Sequence, residues 1–170
     1  MQIKAFITSL EEWAPLQFQE SYDNSGLIVG DPEANCTGIL CALDCTEAVV
    51  EEAIQKGCNL IVSHHPIIFK GIKQFSVDHY VNRTVLKAIQ NNIALYAIHT
   101  NLDNMIHGVN SSLADRLHLE NRKILAPIPG LFDSNGQAVG AGIVGELPLE
   151  TEPEAFVKWV KEKFKLDVIK

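Results

Sequence analysis

The chain has 170 residues, 46% of them hydrophobic, enough to bury a core, and one domain is the default count. Its 14 basic and 21 acidic residues leave a formal charge of −7, and without a Lys/Arg cluster this argues against a nucleic-acid partner, which needs a basic patch. No run reaches the roughly 18–20 apolar residues of a membrane span, and Met1 to Phe6 reads as an ordinary helix start, so no membrane partner and a cytoplasmic location are expected.

Ile3, Phe6, Ile7 and Leu10 recur at helical spacing and predict a helix over 3–13. After a polar loop, Tyr22-Asp23-Asn24-Ser25-Gly26 precedes a short strand over 26–29, closed by Gly30-Asp31-Pro32. On residue types alone that segment is a polar turn, with Asn24 and Gly26 taking unusual backbone angles. Gly38 to Leu43 is a second strand, apolar apart from Cys41, and is expected to be buried on both faces. Asp44 and Glu47 have capping-box spacing at the start of a helix over 46–56, which Gly57 ends. Cys36, Cys41, Cys45 and Cys58 contain no C-x-x-C. A zinc ribbon is unsupported, and reduced structural thiols are expected.

The next segment carries the chemistry. Leu60-Ile61-Val62 is a buried-strand run that leads through Ser63 into His64-His65 and stops at Pro66. Open α/β sheets place their sites at such strand ends. Adjacent histidines in an extended backbone point to opposite sides, so each is expected to serve one of two neighbouring ions, spaced roughly 3.5–4 Å apart. In the bland alternative one ring packs and the other bonds a backbone carbonyl. A helix over 79–91 follows, and then Ile93 to Ile98 repeats the strand pattern and empties into His99-Thr100-Asn101-Leu102-Asp103. Asp103 is either a turn aspartate or a carboxylate ligand that balances the charge of a dication pair. His99 is a third imidazole, a group that orients water or substrate, or a packed ring. His79, His107 and His118 have solvent-facing contexts. This β-α-β-α-β order calls for parallel strands.

A short helix over 108–117 comes next, and the chain changes character after Lys123. Pro127, Pro129, Gly130 and Gly136 suggest a linker before the glycine-spaced run Gly140 to Gly145. That run matches a dinucleotide fingerprint as a string but lacks its strand and helix, so the reading is rejected. Thr151 to Glu154 has capping-box spacing, opening a helix expected to bury Phe156, Val157, Val160 and Phe164. Leu166 to Lys170 looks like the start of a strand, which suggests the first part of a longer protein. The expected division is 1–126 as a first α/β lobe with the ligand motifs, 127–139 as linker, and 140–170 as the start of a second lobe, apparently truncated.

Three segments in this order, Tyr22 to Leu27, Ser63 to Pro66 and His99 to Asp103, resemble the Nif-three-like dinuclear metal centre family, whose members are called GTP cyclohydrolase I type 2 homologues. The resemblance implies an α/β fold with a mostly parallel sheet flanked by helices, forming the first half of a two-lobed protein. It implies two divalent metal ions (zinc, iron or manganese) held by His64, His65 and Asp103. It further implies His99 in a catalytic, orienting role, with Asp23, Asn24, Thr100 and Asn101 as substrate contacts or site wall. A homo-oligomer, a hexamer, and a small-molecule substrate are the implied partners. The implied activity is a metal-dependent hydrolase acting on a small phosphorylated or nucleotide-like substrate, and the alternative is a non-catalytic metal-binding scaffold or regulatory protein. The family completes its site with a further histidine and glutamate, and no His-x-x-x-Glu follows Asp103 in this chain.

Overall fold

The computed structural model describes Met1 to Ile169, and its contacts divide the chain into two compact units, residues 1–102 and the residues from Asp103 onward. The first unit is a four-stranded sheet in the order β1-β4-β3-β2, built from β1 Gly26–Val29, β2 Ile39–Asp44, β3 Leu60–His65 and β4 Ala94–Ala97. β2, β3 and β4 run parallel, while β1 lies antiparallel against β4. The mixed, mostly parallel α/β fold is the one expected. α1 Ile3–Trp13, α2 Glu47–Lys56 and α3 Tyr80–Gln90 supply the flanking helices.

One face of this sheet forms a dense core. Ile61 and Leu95 from the central strands pack with Val50 and Ala53 of α2 and Ala88 of α3. Leu60 and Tyr96 are also fully buried. Each such large apolar side chain stabilises by about 1.5–3 kcal/mol when taken out of water. The two strands that lead into the histidines are therefore firmly anchored.

β2 departs from expectation. Ile39, Cys41 and Leu43 on alternate positions are exposed, and Leu40 and Ala42 between them are only half-buried. The reason is topological, because β2 is the sheet edge and only one of its faces meets the core. α2 also begins differently from its expected capping box. Thr46 is the N-cap, its hydroxyl accepting from the Val49 N–H at 3.3 Å, while Asp44 is the last residue of β2. Gly57 closes α2 in the left-handed region at φ 68°, as its residue type suggested.

The second unit contains α5 Val109–Arg116, a long antiparallel hairpin of β5 Glu120–Phe132 and β6 Ala138–Glu146, and α6 Pro153–Phe164. Residues 127–139, read from their prolines and glycines as a linker, carry the outer part of this hairpin and its turn. Gly140 sits where an added Cβ would meet the Ala126 carbonyl oxygen at 2.2 Å, so only glycine allows the strands this close. α6 buries none of its residues. Phe156, Val160 and Phe164 are half-buried and Val157 is exposed, because the helix packs on one side only, around Trp159, His118 and Arg116. The Thr151 hydroxyl donates to the Leu149 carbonyl instead of capping α6. Leu166 to Ile169 form no strand, having no ladder partner among the described residues, and Lys170 lies outside them. No helix among the described residues is long and apolar enough to cross a membrane.

Candidate metal centre

The carboxyl edge of the parallel strands gathers the polar residues. The β3–β4 ladder stops at the pair Ser63 and Ala97, so His64 and His65 extend past it, with His65 still paired to Asp44 of β2. This modifies the expectation that the two adjacent imidazoles diverge. Their ring centroids are 5.0 Å apart, and the His99 ring lies 5.1 Å from His64 and 5.5 Å from His65. One ligand nitrogen from each of the three lies within 4.8 Å of the others, a grouping that could hold a metal ion.

Each imidazole is held from behind through Nδ1. His64 Nδ1–H donates to the Ile98 carbonyl at 2.9 Å, where β4 ends. His65 Nδ1–H donates to Asp44 Oδ1 at 2.7 Å, its direct register partner on β2. His99 Nδ1–H donates to Asp23 Oδ1 at 2.8 Å. An imidazole whose Nδ1 proton is committed to an oxygen carries its lone pair on Nε2, the arrangement found behind metal-ligating histidines. The donor chemistry therefore fits a divalent transition metal.

Asp23 reaches this edge because β1 is antiparallel. The start of β1, not its end, lies beside the end of β4, with Gly26 paired to Ala97. The Asp23 side chain is 0% exposed. Burial alone would raise its pKa, but hydrogen bonds from His99, Thr100 and the Asn24 backbone outweigh that and bring it down to about 2. Its Oδ2 accepts from the Thr100 N–H at 3.0 Å, from the Ser25 hydroxyl at 3.0 Å, and from the Thr100 hydroxyl.

The remaining expected residues fall as follows. Asn24 donates from Nδ2 to the Ile68 carbonyl at 2.7 Å, tying the Tyr22–Gly26 turn to the loop after Pro66. Thr100 is buried, and its hydroxyl also accepts from the Glu20 N–H at 2.9 Å. Asn101 is fully buried; Oδ1 accepts from the His99 N–H at 2.9 Å and Nδ2 donates to the Ala14 carbonyl at 2.7 Å. Both hold the backbone that carries His99. Asp103 is the last residue of the single turn α4 Thr100–Asp103 and belongs to the second unit, where its carbonyl accepts from Asn110 Nδ2 at 3.0 Å. His79, His107 and His118 are exposed; His79 Nδ1 caps α3 and His118 stacks on Trp159.

Asp44 was missed by sequence reasoning, which assigned it to a helix cap. The available signal was its place at the end of an apolar strand that runs parallel beside the His-His strand. Exposed Tyr22 and Phe69 add an aromatic wall, with centroids 6.2 Å apart and Phe69 6.4 Å from the His99 ring.

Comparison with known proteins places this geometry in context. The profile of the Duf34/NIF3 (NGG1p interacting factor 3) family matches residues 1–170. A protein of Clostridium acetobutylicum named GTP cyclohydrolase 1 type 2 homolog is 38% identical over 173 residues, covering 100% of this chain and 62% of that relative. A Staphylococcus aureus protein of the same name is 47% identical over 125 residues, which is 74% of this chain and 34% of that protein. The crystal structure of Staphylococcus aureus protein SA1388 superposes with a TM-score of 0.85 at 33% identity, over 99% of this chain and 66% of that one. The chain thus spans less than two thirds of the length of these relatives.

Proposed function

The chain belongs to the Duf34/NIF3 family, and from that premise we propose that it carries the histidine half of a dinuclear metal centre in a metal-dependent hydrolase. The observation that carries this reading is the convergence of His64, His65 and His99 nitrogens within 4.8 Å, with the Nδ1 of each ring bonded to an oxygen acceptor. His64 and His65 would hold the ions, and Asp103 stays their carboxylate partner on sequence grounds. Divalent ions bound here supply Lewis acidity and positive charge at a substrate oxygen. They also answer how a chain of charge −7 could attract an anion.

His99 orients a water or the substrate at the same edge, its ring fixed by Asp23 and its backbone by Asn101. Exposed Tyr22 and Phe69 form a wall on which a planar ring could lie. Together these features favour a small phosphorylated or nucleotide-like substrate. An aromatic wall accepts any planar ring, so GTP is not singled out. Assembly as a homo-oligomer, a hexamer, belongs to the same proposal.

The test is turnover of a panel of phosphoesters and nucleotides by metal-loaded protein, with His65→Ala as control. A hydrolase shows metal-dependent turnover that the variant loses. Metal binding and assembly that need His65, with no turnover on the panel, would instead identify a non-catalytic metal-binding scaffold.

A further inference from the structure

We infer that Asp23 is a positioning residue that sets the tautomer of His99, keeping the ring proton on Nδ1 and the lone pair on Nε2. The inference is structural in itself; its consequence for a bound water or substrate rests on the function proposed above.

The surroundings of the two carboxylate oxygens fix the direction of the bond to His99. Oδ1 receives His99 Nδ1 at 2.8 Å and the Asn24 N–H at 2.7 Å. Oδ2 receives the Thr100 N–H at 3.0 Å, the Ser25 hydroxyl at 3.0 Å and the Thr100 hydroxyl. Two of these partners are backbone N–H groups, which cannot reverse their role. A carboxylate satisfies all of them because both of its oxygens accept. Facing an accept-only group, His99 must donate, so its proton stays on Nδ1.

An amide of the same shape resolves differently. In Asp23→Asn one oxygen becomes an NH2, and its orientation is decided by burial. The Thr100 N–H is in a buried residue and cannot turn to water, whereas the Asn24 N–H lies at an exposed position and can. The amide oxygen therefore stays toward Thr100 and the NH2 faces His99. The His99 Nδ1 must then accept, and the proton moves to Nε2, so that nitrogen offers a donor where wild type offers an acceptor to a water or substrate. Asp44 has no such constraint, since its side chain is 58% exposed and His65 is its one side-chain partner among the described residues.

The experiment is nitrogen-15 NMR of the His99 ring in metal-free protein, at mildly alkaline pH where imidazoles are neutral. Wild type is expected to show a protonated Nδ1 and a bare Nε2. Asp23→Asn should reverse the pair, and Asp44→Asn should leave His99 as in wild type. A wild-type ring protonated on Nε2, or an unchanged pattern in Asp23→Asn, overturns the inference; the wild-type spectrum decides even if the variant fails to fold. Cobalt(II) titration separates this from the function. Wild type that shows the expected tautomer but binds no cobalt would reject the metal reading and leave the tautomer assignment standing.

Discussion

The two ends of the histidine edge hold similar contacts in opposite surroundings. On the β1 side Asp23 accepts from His99 at 2.8 Å, and on the β2 side Asp44 accepts from His65 at 2.7 Å. The Asp23 side chain is 0% exposed and meets four further donor contacts, while that of Asp44 is 58% exposed and lies on a sheet edge. Distance alone would rate the two pairs equal. Burial separates them, because removing an acceptor strands donors only where water cannot replace it.

The sharpest way to break this comparison is to delete both acceptors in turn. Asp23→Ala leaves the Thr100 N–H and the His99 Nδ1–H without partners in a shielded site and should cost about 2–4 kcal/mol in urea unfolding. Asp44→Ala should stay within about 0.5 kcal/mol of wild type, since water reaches the His65 ring. Equal losses would sink the claim that burial distinguishes the pairs.

Acid titration gives a somewhat smaller effect with a definite sign. The Asp23 carboxyl is depressed from 3.8 to about 2, so the unfolded chain takes up this proton first. Its contribution, about 2 kcal/mol, is fully present above pH ~4 and is lost as the pH falls through ~2. Asp23→Ala should flatten that limb of the stability–pH curve in metal-free protein.

The smallest effect extends the same contrast to the thiols. Cys41 is exposed on the edge strand, and Cys45 is buried just beyond it, where burial pushes its thiol up to about 11. Iodoacetamide at neutral pH should label Cys41 well before Cys45, read by peptide mass spectrometry. Labelling of Cys45 first would show that the β2 edge opens more readily than its packing implies.

Much of the first unit was legible because its signals are local. The run Leu60 to Val62 followed by two histidines, and the apolar strand before His99, both name a strand end and its cargo without tertiary information. Gly57 marked a helix end for the same reason. What sequence could not supply was neighbourhood. Whether an apolar strand is central or at an edge depends on sheet order, so the exposure of Ile39, Cys41 and Leu43 was not visible. Asp44 looked like a cap because capping spacing is local, while its bond to His65 spans 21 residues. Asp23 lies 76 residues from His99 and meets it only because β1 is antiparallel. In the second unit, prolines and glycines spread along Pro127 to Gly140 hid a ladder that runs through them.

The measurement that bears most directly on the account is the metal content of the purified protein by elemental mass spectrometry, with His64→Ala and His65→Ala alongside. The account expects a divalent transition metal in stoichiometric amount in wild type and its loss in both variants. Wild type that retains no metal after loading, or variants that retain as much as wild type, would contradict a metal centre built on these histidines.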